Sequence, residues 1–260
     1  MTAASTALTT GWEADLPIAD TVLRRFVFAH ADRLCRLAAC TGGRTESWAG
    51  ARLVDLASPV PFDNAAVLLR PPTAVDLATV AARARSFFPA GRAWVLFSAW
   101  PTPDLSALGL RLVGHPPLML RPAGPWPAPP AQLTVHPVDT PARLRDFERT
   151  LGAAYPLPIT AGDLHPGLLD APTRLFVGYV GNDPVGVAGA AANHGVVEID
   201  PVAVLPQARG RGYGAALTAA AAAIAPDLPA VLLSSDAGRT LYRRLGFLEL
   251  LRATMWEVQL

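Results

Sequence analysis

One stretch constrains this chain more than any other: Val202-Ala203-Val204-Leu205-Pro206-Gln207-Ala208-Arg209-Gly210-Arg211-Gly212-Tyr213-Gly214-Ala215-Ala216-Leu217. It reads as a strand, a tight basic glycine loop and a helix. Val202 and Val204 alternate as strand residues do, and Pro206 ends the ladder because it has no N–H to donate. Gly210, Gly212 and Gly214 carry no Cβ and can take positive φ, so their N–H groups can turn inward around an anion. The helix that starts near Tyr213 brings its positive end to the same place, with Arg209 and Arg211 alongside. Together these residues outline a pocket for a pyrophosphate. Two other interpretations exist. Gly210-x-Gly212-x-x-Ala215 also satisfies the dinucleotide fingerprint. In that fold, however, the first glycine follows its strand directly and the unit sits early in a long doubly wound sheet. A loop that only turns the chain is the plainer alternative.

The same residues resemble a known family. Gln207-Ala208-Arg209-Gly210-Arg211-Gly212 fits the Q/R-x-x-G-x-G/A signature of the GNAT acetyltransferase superfamily, and Leu241-Tyr242-Arg243-Arg244-Leu245-Gly246-Phe247 is similar to its closing L-Y-x-x-L-G-F segment. The resemblance implies an α+β fold in which helices flank a central, mostly antiparallel sheet. It also implies acetyl-CoA as cofactor and an amine, on a small molecule or on a peptide or protein, as acceptor.

Composition narrows the remaining classes. Of the residues 51% are hydrophobic, yet no apolar run is long and free enough of charge to cross a bilayer. The stretch MTAASTALTTGWEADLP has no basic start and no apolar core, so no secretory signal is expected there. All 22 basic residues counted as Lys+Arg are arginine, which with abundant Ala, Pro and Gly suggests a GC-rich, bacterial genome. The formal net charge is +1 and no basic patch carries interleaved aromatics, so nucleic acid is not an expected partner. Cys35 and Cys40 are the only cysteines, and with His30 they do not share one helix face, so no metal site is assigned. A reduced, cytoplasmic protein is the expectation.

Along the chain, Leu23, Phe26, Val27, His30, Leu34 and Leu37 recur at helical spacing and predict an amphipathic first helix stopped by Gly42-Gly43, with His30 as a hydrogen-bonded core residue. Strands are expected at residues 51–57 and 65–70, then a helix over 73–87, a strand over 93–97, a short helix from Pro103 and one strand over 112–120. That order is similar to the later half of a GNAT domain, with Pro71-Pro72-Thr73 where the glycine loop belongs. Residues 1–125 are therefore expected to form a degenerate GNAT-like domain or, alternatively, an unrelated α+β cap. The proline-rich segment Ala123–Pro130 marks the expected boundary. Residues 131–260 then follow the GNAT order. The expected elements are a strand at 133–137, a helix capped by Thr140, strands at 175–180, 185–191 and 196–204, the loop and its helix, a strand at 230–234, a helix over 239–245, and one closing strand. Pro201 falls inside a strand that ought to be central, which demands a bulge.

The resemblance also assigns roles. It gives Tyr242 as the acid that protonates the departing thiolate and Glu198 as the general base, with Asp200 on the same strand face. Val202 and Val204 would hydrogen-bond the pantetheine like an added strand. Arg209, Gly210, Arg211, Gly212, Tyr213, Gly214 and Ser235 would hold the rest of the cofactor. Tyr155, Asp163 and His165 fall where the acceptor site is lined in this fold. A coenzyme A-binding protein that turns nothing over is the alternative in a different class, and Tyr242 is the residue that separates the two.

Overall fold

The structure, a computed structural model, describes residues 21–48, 50–155 and 164–259. The first helix, α1 (Val22–Thr41), begins where the Thr21 hydroxyl accepts the Arg24 N–H at 3.2 Å and ends at Gly42, whose φ of 72° reverses the chain. The sequence predicts a single apolar face, but Phe26, Val27, Ala29, Ala31 and Leu34 are all buried, and they do not fit on one. The reason is its position. α1 lies between two sheets, packing on Val54, Ala65, Val67 and Phe97 of one and on Leu118, Val196 and Val231 of the other.

The first half supplies β1 (Arg44–Trp48), β2 (Ala51–Asp55), β3 (Asn64–Leu68), α2 (Leu77–Phe87), β4 (Val95–Ser98), β5 (Leu110–Gly114) and β6 (Pro117–Arg121). The second supplies β7 (Leu133–Pro137), α3 (Pro141–Ala154), β8 (Arg174–Val180), β9 (Asp183–Asn193), β10 (Val196–Val204), α4 (Tyr213–Ala222), β11 (Ala230–Leu233), α5 (Asp236–Arg244), β12 (Leu248–Arg252) and β13 (Thr254–Val258). β1 escapes a sequence search because Arg44-Thr45-Glu46-Ser47-Trp48 is a polar edge strand with no apolar alternation. The expected α+β architecture is observed, and both sheets are mostly antiparallel with one parallel pair each.

The sheets do not divide where the linker suggests. Their strand orders are β1-β2-β3-β4-β13-β5 and β12-β6-β11-β10-β9-β8-β7. Each half keeps one of its last two strands and gives the other away: β6 enters the second sheet between β11 and β12, and β13 enters the first between β4 and β5. The single strand expected over 112–120 is thus β5 and β6, in different sheets, and the single closing strand is β12 and β13, also in different sheets. Only a short break, His115-Pro116 in one case and Ala253 in the other, separates the strands at each crossing. Apart from β7, the two sheets share one pairing pattern: two antiparallel steps, one parallel step, then the exchanged strand between two antiparallel neighbours.

The bulge demanded by Pro201 is present. The β9–β10 register shifts between Ile199 and Val202, and Gly189 makes room for it, since a Cβ there would lie 2.5 Å from the Asp200 carbonyl oxygen. On its other side β10 pairs with β11 only at Val197 and Glu198. Beyond that point the two parallel strands part.

Candidate active site

The parting of β10 and β11 exposes backbone. Leu205 N–H donates to the Val185 carbonyl at 2.9 Å, so the odd-numbered residues at this end of β10 face β9. Val202 and Val204, alternating with them, turn their N–H and C=O groups to the open side. Tyr155, which caps the end of α3, reaches into this opening, where its hydroxyl donates to the Val202 carbonyl at 3.3 Å.

β10 runs directly into the glycine loop. A short 3-10 turn (Pro206–Ala208) leads to Gly210 at φ 76° and to Gly212 at φ 82°, the N-cap of α4. No side chain caps that helix, so the N–H groups of its first turn point outward unpaired by the cap. Arg211 is exposed beside them and, among the described residues, has no partner. This is a fit for a pyrophosphate: positive-φ glycines, free helix amides and one uncommitted guanidinium.

Several expected contributors do other work. The Arg209 guanidinium is taken up by the Val204 carbonyl at 3.0 Å and the Ala154 carbonyl at 3.1 Å, so it ties α3 to β10 instead of facing the loop. The Tyr213 ring is buried with Leu133, Ala208 and Ala216. Gly214 lies within α4, and a Cβ there would stand 3.2 Å from Leu241 Cδ2, so it serves close packing of α4 on α5. Ser235 caps α5, its Oγ accepting the Gly238 N–H at 3.1 Å. His165 likewise caps a short 3-10 turn, its Nδ1 accepting the Gly167 N–H at 3.0 Å where that turn packs on the last turn of α1. Asp163 lies outside the described residues.

Glu198 does not suit the role of base. It is buried beneath the strand, with His30 Nδ1 2.7 Å from Oε1 and Arg33 Nε 3.0 Å from Oε2. Burial would push its carboxyl up, but Arg33 and His30 outweigh burial and hold it down to about 2. A carboxylate so firmly ionised has little affinity for an ammonium proton. Asp200, two residues on and past the start of the bulge, is held at Oδ2 by Arg33 Nη2 at 2.8 Å, and its side chain is 57% exposed. Tyr242, on α5, lies across the opening within electrostatic reach of Asp200 and Tyr155. Burial first, then those two neighbours, raise its hydroxyl above the ordinary value, so it stays protonated at neutral pH. Burial likewise pushes Tyr155 up.

Arg33 and Asp63 are the charged residues that sequence reasoning missed. Asp63 accepts the Ser58 hydroxyl at 2.7 Å and lies within electrostatic reach of both Arg33 and Asp200. Burial pushes its carboxyl up. A signal for Arg33 was available: Phe26, His30, Arg33 and Leu37 follow one another at steps of three and four, so arginine stands in the same helix stripe as His30.

Two sheets of this pairing, with parted parallel strands above a glycine loop and a helix N-terminus, define a GNAT fold. The chain is similar in structure to a GCN5-related N-acetyltransferase from Kribbella flavida (22% identity, TM-score 0.66, 91% of this chain and 95% of that one). It is also similar to a tandem GNAT protein from the clavulanic acid biosynthesis pathway (13%, TM-score 0.52, 89% and 94%) and to a GCN5-related N-acetyltransferase from Sphaerobacter thermophilus (18%, TM-score 0.53, 75% and 71%). No curated protein matches it. Residues 142–247 match the sequence model of the Acetyltransferase (GNAT) family. Among the described residues no helix is long and apolar enough to cross a membrane.

Proposed function

We propose that the chain transfers an acetyl group from acetyl-CoA to an amine by direct attack within a ternary complex. The observation that carries this reading is the continuity of the open β10 edge with the uncapped N-terminus of α4, with Tyr242 within electrostatic reach of Tyr155 at that edge. The Val202 and Val204 N–H groups would hydrogen-bond the pantetheine, since Tyr155 and Arg209 take the two carbonyls. The N–H groups of residues 210–214 and the Arg211 guanidinium would hold the pyrophosphate. In this arrangement Asp200, not Glu198, takes the proton that an ammonium acceptor must lose before its nitrogen can attack, directly or through one water. As the nitrogen bonds to the acetyl carbon and the carbon–sulfur bond breaks, Tyr242 would give its proton to the departing thiolate, and the proton that the new amide nitrogen sheds would return to the Tyr242 oxygen through water. Tyr155 would wall the acceptor side.

The first half, in this reading, is a degenerate GNAT-like unit that holds no cofactor. β3 leads to Pro71 and Pro72, which have no N–H to offer, and Asp76 already caps α2 by accepting the Ala78 N–H at 3.0 Å. Release of free thiol from acetyl-CoA across a panel of amines tests the activity. Thiol release with no amine on a broad panel would count against it, as would a thermal shift with NADH and none with coenzyme A.

A further inference from the structure

α1 belongs to the first half of the chain, yet it places a guanidinium beneath the strand on which the second half would do its chemistry. Arg33 is 5% exposed in its side chain and touches two carboxylates of β10, Glu198 through Nε at 3.0 Å and Asp200 through Nη2 at 2.8 Å. The two contacts differ in kind. Glu198 is buried and already served by His30, and its Oε2 lacks hydrogen-bond alignment with Arg33. Asp200 is hydrogen-bonded to Arg33 and opens to the cleft beside Tyr155 and Tyr242. A planar guanidinium fixes two carboxylates relative to one another, which a lysine ammonium does less well. Taking an arginine and a glutamate out of water is no route to stability in itself, because well-packed apolar residues commonly do as well or better.

We propose that Arg33 is a positioning residue for acetyl transfer: anchored below on Glu198, it holds the Asp200 carboxylate at the mouth of the β10–β11 opening where the acceptor amine arrives. This is the first half's contribution to the reaction, and it rests on the acetyltransferase reading above.

The test uses the full chain. If the wild type gives neither a thermal shift with acetyl-CoA nor thiol release, the underlying reading fails and the proposal with it. Given that shift, the informative variant is Arg33→Gln with Glu198→Gln, which removes the buried Arg33–Glu198 pair together and releases the half-exposed Asp200 carboxylate to solvent. The expected result is an acetyl-CoA Kd within about threefold of wild type and a kcat for amine acetylation reduced about tenfold or more. In an Asp200→Asn background the same double substitution should lower kcat little further, because Arg33 acts through Asp200 and effects within one chain of contacts are not additive. Wild-type kcat in the double variant overturns the proposal, as does a full multiplicative loss from the double substitution in the Asp200→Asn background, or an equal loss in kcat and acetyl-CoA affinity. Should the double variant fail to fold, Arg33→Lys keeps a buried cation without the fork. It is expected to show the same separation of kcat from Kd, and wild-type kcat there overturns the proposal equally.

Discussion

Arg209 bonds the Val204 carbonyl at 3.0 Å and, with its other arm, the Ala154 carbonyl at 3.1 Å, so a loop arginine fastens the end of α3 to the end of β10. Arg211, two residues on, is exposed with no partner among the described residues. The two arginines should therefore separate by experiment. Arg209→Ala is expected to destabilise the protein by about 1.5–3 kcal/mol, the worth of hydrogen bonds from a charged donor. Arg211→Ala should leave the thermal midpoint unchanged and weaken coenzyme A binding about tenfold. Denaturation curves and calorimetric titration of both variants check this.

Glu198 makes acid stability diagnostic. Its carboxyl is held at about 2 in the folded chain against an ordinary 4.5, so the stability it contributes is present above about 4.5 and is lost as pH falls towards 2. Glu198→Gln should flatten this part of the stability profile. At neutral pH it should cost about 3 kcal/mol or more, because Arg33 then keeps only Asp200. An unchanged stability profile between pH 5 and pH 2, measured by urea unfolding, would mean that the clamp does not form.

Tyr242→Phe is expected to lower kcat about 10²–10⁴-fold with coenzyme A affinity nearly intact. Because its hydroxyl lies above the ordinary tyrosine value of 10, the wild type should not lose activity through Tyr242 below that pH. Equal losses in turnover and affinity would assign the ring to packing against Phe247, 5.5 Å away between centroids.

One coenzyme A should bind per chain. Gly212 takes φ 82°, and a Cβ there would also lie 3.2 Å from Pro130 Cγ, so Gly212→Val should abolish binding through both backbone strain and crowding. A calorimetric stoichiometry of two, or binding that survives this change, would reveal a second site in the first half.

The local elements were largely legible in the sequence, because capping and periodicity act over a few residues. Thr140 caps α3 and Gly42 ends α1 as expected, and the strand, loop and helix of residues 196–222 stand where the valines, glycines and alanines put them. What was not legible depends on distant partners. Nothing near Glu198 in the chain announces that Arg33 will neutralise it, and nothing near Arg209 announces the Ala154 carbonyl. The crossings at Pro116 and Ala253 were hidden because a strand's own residues record that it is buried, not which sheet buries it. Tyr213 and Ser235 show the same limit in the loop: a motif position says where the backbone passes, and the packing decides which way the side chain turns.

The exchange of β6 and β13 has a consequence for how the chain is made. The first sheet is encoded early, but it cannot close until residues 254–258 have left the ribosome and slipped between β4 and β5. Until then the chain carries two unsealed strand edges, those of β4 and β5. Pairings this distant in sequence form slowly, since the loop entropy is spent before the contact forms. β13 is therefore a latch on the sheet of the first half, and a lesion at Trp256 should be felt first in strands that lie roughly 140 to 210 positions earlier.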